Sequence, residues 1–330
     1  MVPGRENPLI NRPLRAAPEI SYDLSDARSA LATPGTLAVF TFGEDGAPSD
    51  DPRWLRVALE PLHTPAALEI WRVDAPITCG VDGTLQWSAG GGWLFAAVDL
   101  DERKHDGPEG TAEFAYAQLR RFVEQRSEHH VLRIWNYIGA INQGVGDAER
   151  YKHFCDGRAR GMSTFFADGF PAASALGHHG PAHQLQVYLL ACDQAGEPVE
   201  NPRQISAWRY PRQYGRTPPS FARAATLPAH DALAISGTAA VVGHTSTHQH
   251  DLDAQLAEIL TNLGALLASA DMDAGFDSRA TLKVYIRHAA DAARVRDFLH
   301  QRLPAVPLLL LHADICRSEL LVEIDGWRYA

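Results

Sequence analysis

Glu323 lies in the run Ala313-Asp314-Ile315-Cys316-Arg317-Ser318-Glu319-Leu320-Leu321-Val322-Glu323-Ile324, which reads as a turn entering a strand. Leu320, Val322 and Ile324 alternate and share one face; Leu321, Glu323 and Asp325 take the other. An acid with aliphatic neighbours on both sides must be solvated, paired or protonated. Two readings follow. One is a half-exposed strand with a wet acidic face. The other is a carboxylic acid held near neutrality, able to deliver a proton.

A second set of residues has the chemistry to hold an anion. Tyr151 and Arg158 are seven apart in a helical segment, so they share a face two turns from each other. The apolar Phe154 and Cys155 lie between them, which weakens a purely solvated reading of that face. The stretch Arg209-Tyr210-Pro211-Arg212-Gln213-Tyr214-Gly215-Arg216-Thr217-Pro218-Pro219-Ser220 is a loop stiffened by prolines and dense in Arg and Tyr. Guanidinium forks match carboxylates bidentately, so this loop suits either plain surface or an anion site. Ser236-Gly237-Thr238-Ala239 follows an apolar strand start, and its small side chains allow either close sheet packing or close approach of a ligand.

Other patterns carry less. His244, His248 and His250 precede a helix beside Asp251, but no acidic or His group at metal spacing appears elsewhere, so no metal is expected. Gly144-Val145-Gly146 lacks the third glycine or the Lys-Ser/Thr of a phosphate loop and reads as a helix-entry turn. No Gly-x-Ser-x-Gly elbow supports a nucleophilic serine.

The elements that must position these groups are ordinary. The chain has 330 residues, 45% of them apolar, which allows a packed core and one large or two smaller domains. Its formal net charge is -10. That argues against nucleic acid and anionic membrane as partners, and any anionic substrate must be drawn by a local positive cluster. There is no run of membrane-span length and no signal-peptide core at the N-terminus. Four scattered cysteines fit a reducing cytoplasm.

Residues 1–30 are rich in Pro and Arg and are expected to form an arm or frayed end. Strands are expected at 37–43 (stopped by the Glu44-Asp45-Gly46 turn), at 67–73 and as a pair within 85–100. Thr111 should cap a helix to Ser127, and a strand follows at 131–138. Asp147 should cap a helix from Ala148 to about Ser163, and 185–192 is a strand ended by the turn at 193–198. The second half repeats this order: strands at 221–227 and 232–242, a helix at 251–269, a strand at 282–287, a helix capped by Asp291, and strands at 306–315 and 320–326. The expectation is an α+β protein with an N-terminal domain over 31–195 and a C-terminal domain over 196–330. Each would be a mixed β-sheet with helices packed on one face.

Ile235-Ser236-Gly237-Thr238-Ala239, the helix carrying Gln255 and Asn262, the strand Lys283-Val284-Tyr285-Ile286, and the Leu303-Pro304-Ala305-Val306-Pro307 to Glu323-Ile324 ending resemble the RidA/YjgF fold. More specific are Trp135-Asn136-Tyr137-Ile138, Ile141-Asn142, Gly146-Asp147-x-Glu149-Arg150-Tyr151 with Phe154 and Gly157-Arg158, and Tyr214-Gly215-Arg216. With Cys316-Arg317-x-Glu319-Leu320-Leu321-Val322-Glu323-Ile324 they resemble the chorismatases, over roughly residues 35–330. The resemblance implies cleavage of the enolpyruvyl ether of chorismate with release of pyruvate, without metal or organic cofactor. It implies that Tyr151 and Arg158 grip one carboxylate end of the substrate, Tyr214 and Arg216 the other, and that Glu323 is the proton donor. A cysteine at 316 goes with the branch that makes 3-hydroxybenzoate, in some cases with 4-hydroxybenzoate. Other branches make a dihydroxycyclohexadiene carboxylate and carry a small apolar residue there. Ala239 or Ala240 would form a small-residue pocket wall. RidA proteins build sites between three subunits, whereas two such domains in one chain can supply both sides of a site, so monomer and homotrimer both stay open. Cys155, where a polar residue is more usual, is a departure.

Overall fold

The computed structural model describes residues 13–43, 50–62, 68–273 and 275–330. The expected Glu44–Gly46 turn, Ala67 and the first twelve residues of the N-terminal arm lie outside them.

Two seven-stranded sheets dominate. From one edge, the first runs Asp314–Ile315, Ala172–His178, His130–Gly139, Gln184–Cys192, Trp93–Asp101, Leu85–Gly90 and Thr78–Asp82. The second, read the same way, runs Glu60–Pro61, Leu308–His312, Ala280–Ile286, Val322–Tyr329, Ala232–Thr238, Ala224–Thr226 and Glu197–Val199. The two orders correspond strand for strand. Each sheet has one parallel pair, Ala172–His178 on His130–Gly139 in the first and Leu308–His312 on Ala280–Ile286 in the second. A parallel pair needs a crossover, and in both halves it is a helix. The edge position is exchanged: the second half lends Asp314–Ile315 to the first sheet, and the first half lends Glu60–Pro61 to the second.

Five α-helices are present among the described residues: α1 (Ala27–Ala32), α2 (Gly107–Glu124), α3 (Arg150–Met162), α4 (Leu252–Ser269) and α5 (Ala292–Arg302). The stripe Ala112, Ala115, Leu119 and Val123 of α2 and Phe154 and Cys155 of α3 pack on Leu94, Ala96, Ile134 and Leu189 of the first sheet. Leu256, Ile259, Leu263 and Leu267 of α4 and Val295 and Leu299 of α5 pack on Leu282, Val284, Val322 and Ile324 of the second. The periodicities of these helices are satisfied by burial of one face each. Helix starts differ from the sequence expectation. α2 begins at Gly107 with Pro108 in its first turn, and Thr111 lies inside it, donating to Gly107 O at 2.6 Å. α3 begins at Arg150, and Asp147 binds Arg212 instead of capping it. Asp251 does cap α4, accepting from Ala254 N at 3.1 Å.

The uncovered faces of both sheets bury a third core holding Trp93, Trp135, Tyr188, Tyr285 and Trp327. A four-stranded sheet (Glu19–Asp23, Leu68–Arg72, Thr36–Phe42, Trp54–Val57) adds Phe40 and Trp71 to it. Residues 19–23 of the expected arm are thus a strand paired with 68–72, not a frayed end. Among the described residues, charge enters this interior as two pairs: Lys283 with Glu69 at 2.8 Å, and Arg133 with Asp325 at 2.8 Å, all four side chains buried. Paired burial is the condition under which such groups are tolerated.

Candidate active site

The alternation expected at the chain's end starts two residues later than read. Leu320 sits in the turn and packs into the central core, Leu321 packs toward α4 and α5, and the strand proper is Val322–Tyr329. From there the parity holds. Val322 and Ile324 face the helices; Glu323, Asp325 and Trp327 lie on the opposite face of the strand.

Opposite this strand, pairing with Ala232–Thr238 slips between Ile235 and Thr238, so Ser236 and Gly237 form a bulge. Bulges re-aim side chains and recur beside active sites. The Ser236 hydroxyl ties the bulge across to the other sheet: it donates to Ala222 O at 2.6 Å and accepts from Ala173 N at 2.9 Å. Gly237 leaves room for the Glu323 carboxyl. A methyl on it would stand 2.9 Å from the Glu323 carboxyl carbon and overlap its Oε1.

Here the two sheets open into a cavity of about 210 Å³. The first sheet supplies Ala173, Ser174 and Ala175; α3 supplies Tyr151, Lys152 and Arg158. The bulge supplies Gly237, with Ala239 just beyond it. The turn before the last strand gives Cys316 and Arg317, and the 200–223 segment gives Tyr210, Tyr214 and Arg223. Of the sequence-derived residues, Glu323, Cys316, Tyr151, Arg158, Tyr214 and Ala239 therefore meet in one place.

Arg216 and Ala240 do not. Gly215, at φ +137, turns the chain outward, and the Arg216 side chain is 65% exposed with its Nε 3.5 Å from Asp147. Asp147 also holds Arg212, at 2.9 and 2.7 Å, so two of the loop's arginines are tied outside the cavity. Ala240 is fully buried in the central core, which leaves Ala239 as the wall residue of that pair.

Besides Arg158, positive charge comes from two arginines not among the expected clamps, Arg223 and Arg317. Arg223 is buried; its Nη2 donates to Ile205 O and to the Tyr210 hydroxyl at 2.8 and 2.7 Å, and its Nε has no partner. Arg317 stacks on Tyr214, 4.0 Å from the ring centre, and donates to His244 O and the Ser246 hydroxyl. Arg158 donates to Ser220 O at 2.6 Å, and its buried Nε is likewise unpartnered. Unmet guanidinium donors bordering a cavity are what an anionic ligand would satisfy. The alternating Phe221-x-Arg223 entry to a strand was the available signal for Arg223; for Arg317 it was the Cys316-Arg317-x-Glu319 motif.

Glu323 is 5% exposed, and among the described residues it has no ion-pair partner. Burial, with the nearby Asp325 charge adding to it, pushes its carboxyl up to about 8, against the opposing pull of Arg133, Arg223 and Arg317. At neutral pH it is chiefly the acid. The shift is large because the cost of burial outweighs the opposing guanidinium groups. The Cys316 thiol is pushed up to about 12, first by burial and then by Glu323, so it is a neutral thiol and no thiolate nucleophile. Burial also raises the Tyr151 hydroxyl well above its ordinary value.

The histidine cluster disperses: His244 lies against Tyr214, whereas His248 points to Glu258 at 3.1 Å. No group of three or more His, Cys, Asp or Glu side chains able to hold a metal occurs among the described residues. No helix there is long and apolar enough to cross a membrane.

The fold and site define a small-molecule enzyme of α+β type whose candidate acid is buried between two like-ordered sheets. Residues 69–191 match the family model Chorismatase FkbO/Hyg5-like, N-terminal. A 3-hydroxybenzoate synthase of Streptomyces hygroscopicus is 33% identical over 280 residues, spanning 78% of this chain and 80% of that protein. A chorismatase of the same organism is 32% identical over 274 residues, 79% of each. A crystal structure of a chorismatase superposes with a TM-score of 0.84 at 27% identity, over 96% of this chain and all of the other. The chain belongs to the chorismatase family.

Proposed function

We propose that the chain cleaves the enolpyruvyl ether of chorismate to 3-hydroxybenzoate and pyruvate. One observation carries the reading: a buried carboxylic acid, protonated at neutral pH, faces a small cavity that also holds Arg158, Arg223 and Arg317. Chorismate is a dianion with an acid-labile enol ether, and these groups answer both features. The arginines, with Tyr151 and Tyr214, hold the carboxylates, offsetting the negative charge of the whole chain. Glu323 gives its proton to the enol methylene carbon, which makes the ether oxygen a leaving group. The neighbouring ring hydroxyl oxygen then displaces it, pyruvate departs, and the ring aromatises with return of a proton to Glu323. The atoms of chorismate equal those of the two products, so no water is consumed. Cys316 is a neutral thiol on the cavity wall; in this reading it contacts the ring intermediate and steers its collapse to the aromatic acid. Its presence is the reason for preferring the aromatic product over the hydrolytic one, in line with the name of one relative.

The test is purified protein with chorismate, assayed for pyruvate and, by chromatography, for ring products. Equal amounts of pyruvate and 3-hydroxybenzoate are expected. Pyruvate with a dihydroxycyclohexadiene carboxylate would mean hydrolysis. Absence of pyruvate would overturn the activity and leave a ligand-binding protein. Glu323→Gln is expected to bind chorismate and not turn it over.

A further inference from the structure

The mechanism uses Glu323 but leaves unexplained why a buried ion pair lies next to it. Asp325 is two residues along the same strand and on the same face, so its Cα is about 7 Å from that of Glu323. It is fully buried. One oxygen, Oδ2, collects four donors: Arg133 Nη2 at 2.8 Å, the Ser174 hydroxyl at 2.6 Å, the Tyr285 hydroxyl at 2.9 Å and Trp135 Nε1 at 3.0 Å. The other oxygen has none. Four donors on one oxygen fix the Asp325 carboxylate in place. Its donors come from the first sheet and from the strand beside it, so the carboxylate also locks the last strand against the opposite wall of the cavity. Ser174 belongs to both settings. It lines the cavity, and its hydroxyl and Glu323 Oε1 crowd the same point above Gly237.

We propose that Asp325, balanced by Arg133, is the positioning residue that keeps Glu323 in its acid form. The proposal deepens the chorismate reading and rests on it for the catalytic role of Glu323. The arrangement is a charge balance. Arg133 alone would favour ionisation of Glu323; Asp325 offsets it and adds a like charge along the strand. The other groups around Glu323 are accounted for. On the neighbouring strand Tyr285 stands directly opposite it and Lys283 stands opposite Asp325, the lysine already committed to Glu69. The turn supplies Cys316, Arg317 and Glu319, Glu149 stands just before α3, α3 supplies Tyr151, Lys152 and Arg158, and the 200–223 segment supplies Tyr210, Tyr214 and Arg223. The arginines bordering the cavity favour ionisation of Glu323 when the site is empty, and a bound dianion would neutralise them. Asp325 therefore sets the state of the acid before substrate arrives.

The test titrates Glu323 in full-length wild type, Asp325→Asn and Arg133→Met, by carbon-13 NMR of protein labelled at glutamate carboxyls, with Glu323→Gln identifying the resonance. The high-pH limb of chorismate cleavage is followed in parallel. Asp325→Asn leaves Arg133 unopposed, and the midpoint of Glu323 is expected to fall by about one pH unit or more. Arg133→Met leaves Asp325 unopposed, and the midpoint is expected to rise. Displacement in opposite directions supports the proposal, since a merely structural role would not reverse sign. Midpoints that stay put, or move the same way, overturn it. If Asp325→Asn does not fold by circular dichroism, Arg133→Met decides alone: an upward move supports the proposal, no move or a downward one overturns it. If wild type releases no pyruvate, the proposed activity fails, while the NMR titration still decides the charge balance.

Discussion

Gly237→Ala isolates the position of the acid from its chemistry. The added methyl would stand 2.9 Å from the Glu323 carboxyl carbon, and its overlap with Oε1 is more severe. Ordinary contact begins near 3.4 Å. The carboxyl must therefore retreat by about 1 Å or more, away from the bulge. The backbone at 237 has no positive φ, so alanine itself is not strained there. Only a side-chain end has to give way, and the stability cost should stay within about 1–3 kcal/mol. The effect on turnover is different in kind. A misplacement of about 1 Å at a reacting group costs on the order of 100-fold. The assay is pyruvate release under saturating chorismate, with KM determined separately and a thermal melt as control. The expected result is a kcat reduced about 100-fold, a KM little changed and a modestly lower Tm. A variant that melts like wild type and turns over like wild type would refute the placement of Glu323 as proton donor, because the acid would then tolerate displacement.

Four further outcomes follow from the same geometry. Activity should be full below pH 7 and fall as pH rises through about 8, where Glu323 loses its proton. Because that carboxyl sits above its ordinary 4.5, its contribution to stability is fully present below about 4.5 and is lost as pH rises to about 8. Glu323→Gln should therefore gain on wild type by about 1.4 kcal/mol per pH unit across that window and by nothing further above it, as denaturant melts at several pH values would show. Cys316→Ala should alter the ratio of ring products by more than it alters pyruvate release, read by chromatography of one reaction mixture. Arg223→Ala should cut kcat/KM by about 10- to 100-fold through loss of a charged hydrogen bond, whereas exposed Arg216→Ala should stay within about 2-fold. The reverse order would restore Arg216 to the site.

Legibility in the sequence divided along physical lines. The alternation that puts Glu323 opposite Val322 and Ile324, the stripe of α4 and the seven-residue spacing of Tyr151 and Arg158 are local patterns, and each is realised. So is the repeated order of elements, which becomes two sheets of matching strand order. What failed to show were partners set by distant chain. Asp147 looks like a helix cap by its position, yet it holds Arg212 and Arg216 from a loop some 65 residues on. Arg133 looks like the polar residue of a half-wet strand, yet its carboxylate is 192 residues away. The exchange of edge strands likewise has no local signature, since Glu60–Pro61 is two residues long.

That division also explains why the proton state of Glu323 was open in the sequence. An acid near arginines is ordinarily driven to ionise, and Arg158, Arg223 and Arg317 all border its cavity. The interior answers with a strict pairing: Glu69 takes Lys283 and Asp325 takes Arg133. Both of those buried cations are spent on buried anions, and Glu323 is a carboxyl with no such partner among the described residues. Ionising it would leave a buried carboxylate without an ion-pair partner, a cost larger than three partly committed guanidinium groups return across the cavity. A substrate dianion strengthens the same bias by occupying those guanidinium groups. The acid is then most firmly protonated when the enol ether is in place to receive its proton, and the arginines that would otherwise discharge it are the ones holding the substrate.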